Sequence, residues 1–513
     1  MKSLASVAAS AGFPSLRIDR LALLAVVSLA LIVRFYAIDV PSIWYDEAYS
    51  LLLARETPTQ IWALTALDVH PPLYYVLLHY WVMVWGDGPL SARAMSALAD
   101  VGTLLLCIKL MSLIATRRAT WIAALLLTLL PVSVGYSQNA RMYTLLGFWL
   151  IGATVVLVCW TQAAEKKRWV VIYVLLMAAA FYTHYFAFLC VATHWLYWWK
   201  THSERQDQAI GVRVWILVNG MIVLLYLPWL PVLIDQMVSR PDFGWIAPFT
   251  WQSFFTLMWQ ITGTSDSVDL ATWWRVWPSV FIIVCAVTVL VQDRDARRYG
   301  WLLVGYFFVP TILLLAISLL KPAFVLRYFY FAAIVLPLIA AVAIDKWWHR
   351  QRTLALALMA VFLLAEVHGM ADLSRRRNHD VGLETLAIAL NAQSRSGDEI
   401  VFDDLFWYLP FMNYNKSGIS PKIFVGRTGE RLSGYPDRSG WVLIPAPRQS
   451  TLIDDESVRA LDAKRVWWIT LKSKVEDLSL LSEQWIEDRS LDGGDIEARL
   501  FVHKGGPTQI GGP

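Results

Sequence analysis

Apolar runs of about 20 residues recur along the first 368 positions of this chain, and each is long enough to cross the hydrocarbon core of a membrane as a helix. The 513 residues are 57% hydrophobic and 16% charged, whereas a soluble protein of this length needs more charge to cover its surface. Trp and Tyr gather at the ends of the runs, as they do at membrane–water interfaces. The sequence therefore predicts a polytopic α-helical membrane protein.

One apolar segment, residues 70–86, decides the topology, because its crossing would move every later loop to the other side. If it does not cross, all the clearly basic loops fall on the side of the N-terminus, as the enrichment of Lys and Arg in cytoplasmic loops requires. Segment 70–86 is thus predicted to be a juxtamembrane or re-entrant helix. The basic loops are 115–120, 165–168, 200–213, 292–298 and 345–352. About eleven spans follow, at 21–38, 91–115, 119–136, 142–160, 169–184, 185–199, 213–233, 275–291, 300–320, 328–345 and 352–368.

This topology places a tail, residues 1–20, in the cytoplasm and a transmembrane domain at 21–369. The polar segments that could contribute to function then lie together on the outer side of the membrane. They are 39–90, 137–141, 183–185, 234–274, 321–328 and the chain from about residue 370. The net charge of +4 comes from basic residues scattered over short loops, so no nucleic-acid partner is predicted. The four cysteines lie in apolar runs without metal-ligand spacing and are predicted to be buried thiols.

Residues 370–513 differ from the rest of the chain, because charge rises and the apolar runs shorten. Strands are predicted at 399–403, 422–426, 440–446 and 465–471, and helices at 382–394, 453–463 and 475–486. This alternation predicts a small α/β domain on the outer side. Asp403 and Asp404 follow a predicted strand and could bind a ligand, although such a pair more often caps the next helix.

The first outer loop opens with two adjacent carboxylates, Asp46 and Glu47, between aromatic residues. A charge at the membrane edge costs several kcal/mol unless it is paired or faces water. Adjacent helical residues project about 100° apart, so we do not expect both acids to serve the same atom. One can face a cavity while the other caps backbone groups or pairs with a cation. The simpler alternative is that both acids only favour the start of an interfacial helix.

Basic residues are exceptional on the outer side, which makes three of them candidate anion ligands. Lys321 and Arg327 precede a span in KPAFVLRYFY, and Arg141 lies in SQNARMYTL. Arginine can bind a phosphate through two parallel hydrogen bonds. The alternative is that these side chains only extend to lipid headgroups.

Two histidines lie in the same outer segments. His70 precedes a Pro-Pro pair and is more simply structural than a base, and His184, in FYTHYF, could donate to a phosphate or a sugar hydroxyl. His70, Asp46 and Glu47 could in principle hold a divalent metal, but no ligand motif supports this. We therefore predict no firm cofactor and no metal site.

Five stretches together resemble a known family: YDEAYS, HPPLYYVLLHYW, SQNARMYTLLGFW, YTHYF and RYFYFAAIVLP. As a set they resemble the bacterial branch of the dolichyl-phosphate-mannose protein mannosyltransferase superfamily. Its members are membrane enzymes with the GT-C fold, of the glycosyltransferase family 39 type, and are related to the aminoarabinose transferases of lipid A. The resemblance covers about residues 20–370, and the C-terminal domain resembles no family closely.

The resemblance implies a sugar donor on a polyprenyl phosphate and an active site on the outer face of a bacterial inner membrane. Asp46, the first acid of the pair, is then the expected general base. The aminoarabinose transferases carry Glu-Lys-Pro where this chain has His70-Pro71-Pro72, so the polar contacts to the donor are expected to differ. The expected contacts of the donor phosphate are Arg327, Arg141, Lys321 and His184, and those of the rest of the substrates are Glu47, His70, Tyr45, Tyr74, Tyr143 and Tyr328.

In the implied reaction, Asp46 accepts the proton of an acceptor hydroxyl as that oxygen attacks the anomeric carbon with inversion. The guanidinium groups stabilise the departing lipid phosphate. This scheme requires Asp46 and Arg327 to face one shared pocket. The acceptor is left open between an envelope lipid, a polysaccharide and a protein.

Two other functions compete with this one. A transporter or flippase for a lipid-linked sugar would need ionisable residues near mid-span and two related halves. The predicted spans are almost free of Asp, Glu, Lys and Arg, and no related halves are visible. A non-catalytic, glycan-binding scaffold would leave the acidic outer loop without a role.

Overall fold

A computed structural model describes residues 16–204, 210–239, 246–263, 275–292, 297–379, 382–426, 439–444, 450–473, 481 and 485–504. Most of the predicted N-terminal tail and most of the predicted helix 475–486 lie outside these residues. Up to His379, the described chain is almost entirely helical. Its helices are α1 (Leu16–Phe35), α2 (Tyr45–Ala54), α3 (Pro58–Ala66), α4 (Leu73–Trp85), α5 (Pro89–Ile114), α6 (Arg117–Leu129), α7 (Pro131–Ser137), α8 (Tyr143–Gln162), α9 (Lys167–Thr183), α10 (Ala187–Glu204), α11 (Val212–Tyr226), α12 (Leu230–Ser239), α13 (Trp251–Gly263), α14 (Val276–Gln292), α15 (Arg297–Ser318), α16 (Leu326–Ala333), α17 (Leu336–Trp348) and α18 (Arg352–His379).

Five of the described helical segments are long and apolar enough to cross a membrane, and the number rises to seven if each of two bent pairs, α6 with α7 and α11 with α12, is one span. This confirms a polytopic helical protein but does not confirm the predicted eleven spans. Helix α4 contains most of segment 70–86 and has 13 residues. At 1.5 Å per residue it is about 20 Å long, too short to cross a hydrocarbon core of about 30 Å.

The arrangement of the spans follows their exposure. The segment Leu326–Trp348 comprises α16 and α17, and its most apolar stretch is completely buried. Only 22% of the corresponding stretch of α18 is buried. Helices α16 and α17 therefore lie at the centre of the bundle, and α18 lies at its outside. Arg327, at the start of α16, is thereby positioned at one end of the central segment.

A charged pair, Arg34 and Asp100, lies within the bundle and is an exception to the expectation of nearly uncharged spans. Arg34 Nε donates to Asp100 Oδ2 at 2.6 Å, and the hydroxyls of Ser133 and Tyr330 donate to the same carboxylate. Arg34 also donates to the carbonyl of Thr128 at 3.2 Å. Buried charges are tolerated when they are paired and hydrogen-bonded in this way. The network joins α1, α5, α6, α7 and α16.

The C-terminal part folds into a six-stranded mixed sheet with strand order β3-β2-β1-β4-β6-β5. Strands β3, β2, β1 and β4 are parallel, and β4, β6 and β5 pair antiparallel. The predicted α/β class is confirmed. The elements are α19 (Gly382–Gln393), β1 (Glu399–Phe402), α20 (Leu405–Tyr414), β2 (Lys422–Phe424), β3 (Leu452–Ile453), α21 (Asp455–Arg459), β4 (Arg465–Leu471), β5 (Trp485–Gly493) and β6 (Ile496–His503).

Three of the predicted strands are confirmed as β1, β2 and β4, but the strand predicted at 440–446 is wrong. A 3₁₀ helix, Ser439–Leu443, occupies this position. Val442 is buried in the core of the helical domain, and Trp441 and Leu443 are partly buried, without strand pairing. A short apolar run cannot distinguish these two ways of burial. The hairpin of β5 and β6 was not predicted, and α18 extends past the predicted domain boundary at 370.

The C-terminal domain packs directly on α2, the helix that carries the two acids. Ala48 and Leu51 of α2 share a hydrophobic core with residues of α19, α20 and the sheet. The backbone N–H of Ile43 donates to the Tyr414 hydroxyl at 2.8 Å. One face of α2 is therefore covered by the C-terminal domain, and the other faces the helical bundle.

Candidate active site

The site is built on the first turn of α2. Trp44 is extended, with φ −95° and ψ 172°, and Tyr45 is the first helical residue. Asp46 and Glu47 therefore lie where the helix dipole favours negative charge. As expected from the angle between adjacent helical residues, the two carboxylates diverge and meet different partners.

Glu47 is buried and its carboxylate is fully paired. Arg93 of α5 donates from Nε to Oε1 at 2.8 Å and from Nη2 to Oε2 at 2.7 Å. The backbone N–H of Ala140 donates to Oε1 at 2.8 Å. Arg93 also donates to the carbonyls of Ile38 and Pro41, at 2.8 and 2.9 Å. The pair thus fixes the chain between α1 and α2 against α5. Nothing in the sequence around Arg93 indicates this pairing.

Residues 138–141 hold the start of α2 from the other side. The Trp44 indole N–H donates to Asn139 Oδ1 at 2.9 Å, next to the bond from Ala140 to Glu47. Arg141 Nη1 donates to the main-chain oxygen of Asp46 and to Ser50 Oγ, both at 3.1 Å. These bonds are the physical link between the SQNAR and YDEAYS stretches.

Asp46 points away from Glu47, toward two guanidinium groups. Arg327 Nη1 donates to Asp46 Oδ2 at 2.9 Å, and Arg141 Nε lies 4.0 Å from the same oxygen. The side chains of Asp46 and Arg327 are both 20% exposed. Arg141 Nε is buried and has no hydrogen-bond acceptor among the described residues. Because buried donors are normally paired, this N–H is available to a ligand. Around Asp46 itself, two arginines face one carboxylate, which leaves guanidinium N–H groups for an anion.

Asp46, Arg141 and Arg327 line one cavity of about 450 Å³. This volume falls within the range of small-molecule sites, roughly 300–1,000 Å³. Six of its thirteen lining residues are Trp, Tyr or Phe, and Phe406 and Gly440 come from the C-terminal domain. The lining residues are Trp44, Tyr45, Asp46, Tyr49, Asp68, Val69, His70, Arg141, Tyr143, Arg327, Tyr328, Phe406 and Gly440.

A second carboxylate, Asp68, lines the cavity and was missed in the sequence. His70 Nδ1 lies 3.3 Å from Asp68 Oδ2. Burial lowers the pKa of His70, so the ring is neutral at pH 7 and donates from Nδ1. Burial raises the pKa of Asp68, but His70 and the nearby Tyr49 hydroxyl hold it below its ordinary value. The available signal was the position of Asp68, two residues before His70 in the same outer loop.

His184 lies behind the cavity wall rather than in it. The Phe186 N–H donates to its Nδ1 at 3.2 Å, so the neutral ring carries its proton on Nε2. The ring packs against His70 and Tyr328, with centroid separations of 5.8 and 5.4 Å. Burial lowers the pKa of His184 well below its ordinary value. The ring is therefore neutral and brings no positive charge to a phosphate.

The remaining predicted contacts divide into two groups. Tyr45, His70, Tyr143 and Tyr328 line the cavity, whereas Glu47, Tyr74 and Lys321 are not among the described residues that line it. Glu47 is held by Arg93, Tyr74 is buried, and Lys321 is exposed. Their predicted contacts with the substrates stay predictions that this geometry does not support.

No group of three or more His, Cys, Asp or Glu side chains is arranged to bind a metal ion within the described part of the chain. Asp46 and His70 do line the same cavity, but the third candidate ligand, Glu47, is turned toward Arg93.

No protein-family model and no curated protein matches the sequence. The fold, however, matches solved structures. ArnT from Cupriavidus metallidurans in the apo state superposes with a TM-score of 0.62 at 13% identity, over 96% of this chain and 98% of ArnT. ArnT bound to undecaprenyl phosphate gives 0.60 at 14% identity, over 96% and 99%. The archaeal oligosaccharyltransferase AglB from Archaeoglobus fulgidus, in complex with an inhibitory peptide and a dolichol-phosphate, gives 0.50 at 13% identity, over 88% and 70%. The predicted GT-C fold is thereby confirmed.

Proposed function

We propose that this protein is an inverting membrane glycosyltransferase that transfers a sugar from a polyprenyl phosphate to a hydroxyl group of an envelope acceptor. The observation that carries the proposal is the contact between Asp46 and Arg327, with Arg141 beside them, in one aromatic-lined cavity. The shared fold supports it, because ArnT has been solved with undecaprenyl phosphate and AglB with a dolichol-phosphate.

The arginines bind the donor phosphate in this scheme. A guanidinium group carries five N–H donors, so Arg327 can contact a phosphate while it still holds Asp46. Arg141 offers the buried Nε that has no acceptor among the described residues. As the bond between the anomeric carbon and the phosphate oxygen breaks, its electron pair stays on that oxygen. Both arginines stabilise the resulting polyprenyl phosphate.

Asp46 is the general base. It accepts the proton of the acceptor hydroxyl while that oxygen forms the new bond to the anomeric carbon on the face opposite the phosphate. Both arginines lie beside its carboxylate, and its 20% exposure leaves it accessible from the cavity. Asp68 lines the same cavity and, together with His70, can hold sugar hydroxyls.

The proposal places the cavity and the C-terminal domain, from about residue 370, outside a bacterial inner membrane, with residues 1–20 in the cytoplasm and the transmembrane domain at 21–369. A transporter of lipid-linked sugars is the alternative. Two of the charged groups that it could use within the spans, Arg34 and Asp100, bind each other and Ser133, which favours a structural role for this pair.

The Asp46→Asn variant tests the base. We expect transfer from a labelled polyprenyl-phosphate sugar to an envelope extract to fall about 10²–10⁴-fold, because general-base catalysis contributes about this much. Binding of undecaprenyl phosphate should persist. The matched control is Asp87→Asn, which removes an exposed carboxylate paired with Arg55 in the same outer segment. Transfer by Asp46→Asn at the wild-type rate would refute the assignment.

The Arg327→Ala variant tests the phosphate contact. It should raise the KM for the donor and leave the KM for the acceptor unchanged, because in the proposal the lost N–H groups bind the donor phosphate and, through Nη1, Asp46, but not the acceptor. Arg55→Ala, in an exposed ion pair, is the control for loss of an arginine. Unchanged donor kinetics in Arg327→Ala would contradict the proposed role.

A further inference from the structure

A second groove lies at the carboxyl ends of two strands of the C-terminal sheet. Strands β2 and β3 lie on one side of β1, and β4 lies on its other side. The winding direction of the chain therefore reverses between β1 and β4. In open α/β sheets, ligands bind at such a switch point, outside the carboxyl ends of the strands. The groove lies there, because Asp404 and Leu405 follow β1 and Leu471 ends β4.

The walls of this groove are mainly aromatic. It has a volume of about 480 Å³ and is lined by Tyr45, Asp404, Leu405, Phe406, Trp407, Trp441 and Leu471. Phe406 is 44% exposed, although it is a large hydrophobic residue. The rings of Phe406 and Trp407 are nearly perpendicular, with centroids 5.1 Å apart. The groove therefore offers flat apolar surfaces at two orientations.

Asp404 supplies a polar group at the edge of these surfaces. Its Oδ1 accepts from the Phe406 N–H at 2.8 Å and caps α20, as expected from the sequence. Its Oδ2 has no hydrogen-bond donor among the described residues, and the side chain is exposed. An acceptor-only group suits the hydroxyl groups of a ligand, whereas its negative charge repels a phosphate.

The groove adjoins the reaction cavity through two residues. Tyr45 and Phe406 line both spaces. Their rings are stacked, with centroids 5.4 Å apart and planes inclined by 9°. Tyr45 precedes Asp46 in the chain, so a ligand in the groove lies beside the proposed base.

We propose that this groove binds a sugar ring of a carbohydrate acceptor, which stacks on Trp407 and Phe406 and donates a hydroxyl hydrogen bond to Asp404. Flat apolar rings with a few oriented polar groups match the alternating apolar faces and hydroxyl edges of a pyranose. The carboxylate directs the donor phosphate to the arginines of the other cavity and the neutral sugar to the groove. The inference rests on the proposed glycosyltransferase function and names its acceptor class.

The test measures saccharide binding without any donor, on the full-length protein in nanodiscs. Methyl α-D-glucopyranoside, methyl α-D-mannopyranoside and methyl β-D-galactopyranoside are titrated separately by saturation-transfer NMR, and a serine-containing hexapeptide is titrated as the protein-like alternative. We expect at least one pyranoside to bind and the peptide not to bind. Trp407→Ala and Asp404→Asn should each weaken the pyranoside at least fivefold. The Asn variant is informative if the Ala variant misfolds, because asparagine caps a helix as well as aspartate.

The control variant is Asp488→Asn, on an outer strand of the same sheet and paired only with its neighbour Arg489 among the described residues. It should bind the pyranoside as the wild type does. Absence of binding for all three pyranosides, binding that neither groove variant weakens, or peptide binding that depends on Trp407 would overturn the inference. Undecaprenyl phosphate is titrated in parallel. If the wild type does not bind it but binds a pyranoside through Trp407, the proposed function fails while the groove assignment stands.

Discussion

Asp46 shares an open cavity with Arg327 and Arg141, whereas Glu47, the next residue, is 1% exposed and fully occupied by Arg93 and the Ala140 N–H. Both acids lie in the first turn of one helix and both face arginines. The difference lies in what else surrounds each pair. The pair at Glu47 is bidentate and buried, with side chains 2% and 1% exposed, so a ligand cannot reach it. The pair at Asp46 forms one short contact and borders a cavity.

The comparison separates a structural role from a chemical one. A buried, saturated ion pair holds the outer loop in one conformation but cannot exchange partners. A partly exposed pair with surplus guanidinium groups can exchange them when an anion arrives. In the proposed function, Asp46 acts on a substrate while Glu47 fixes the turn that presents it.

Glu47→Gln should give the largest effect on stability. Removing one partner of a buried ion pair costs about 3–5 kcal/mol, because Arg93 is left with an uncompensated charge. Asp46→Asn, at a pair whose side chains are 20% exposed, should cost less, about 1–3 kcal/mol, because solvent reaches the pair and the asparagine oxygen still accepts a hydrogen bond. Denaturant unfolding of both variants in detergent measures the difference. The comparison breaks down if Glu47→Gln is as stable as Asp46→Asn.

Acidification should give an intermediate effect, which depends on the histidines of the open side. Burial holds the pKa of His70 and of His184 below the ordinary value of 6.5, so the unfolded chain binds their protons first as pH falls. The contribution of these histidines to the free energy of unfolding is fully present above pH 6.5. Below pH 6.5 the free energy of unfolding falls by up to about 1.4 kcal/mol per pH unit for each histidine. The Asp68 carboxylate raises the pKa of His70 and so reduces this loss, whereas the charge of Arg141 lowers that pKa and increases the loss.

The His70→Gln variant isolates one of these two contributions. Its unfolding free energy should depend less steeply on pH between 5 and 6.5 than that of the wild type. The control is His349→Gln, at an exposed position away from the cavity. Parallel pH profiles for the wild type and His70→Gln would contradict the assignment of this effect to His70.

The smallest effect is expected at the exposed pair of Arg55 and Asp87, whose side chains are 41% and 54% exposed. Solvent screens such a pair, so Arg55→Ala should cost less than about 1 kcal/mol. The three pairs then rank by burial, from Glu47 through Asp46 to Asp87. Calorimetric unfolding of the single variants gives this ranking, and a cost for Arg55→Ala near that of Glu47→Gln would invalidate it.

Much of the architecture was predictable because it depends on local patterns. The length of the apolar runs predicted the helical membrane class, and three of the predicted strands lie within a few residues of β1, β2 and β4. The segment at 440–446 was misassigned because a 3₁₀ helix and a strand bury the same apolar residues. The predicted eleven spans stay a prediction, because five to seven of the described helical segments pass by length and composition.

The candidate site was predictable in its members but not in their pairing. Asp46, Arg141 and Arg327 were singled out because acids and outer arginines are rare at a membrane edge. Arg93 was overlooked because an arginine at the start of a span resembles one that extends to lipid headgroups. Nothing local distinguished Glu47, which the fold buries, from Asp46.

By itself the sequence determined a helical membrane domain, a following α/β domain and a short set of candidate residues, since these follow from hydrophobic length, periodicity and residue chemistry. Only the tertiary structure decided which groups meet. Asp46 and Arg327 are 281 residues apart in the chain, and Tyr45 meets Phe406 of a different domain. Such contacts depend on how helices that are distant in the chain pack together. The packing decides whether a given side chain is buried, paired with a charge or exposed to a cavity. That is why two adjacent carboxylates have different roles.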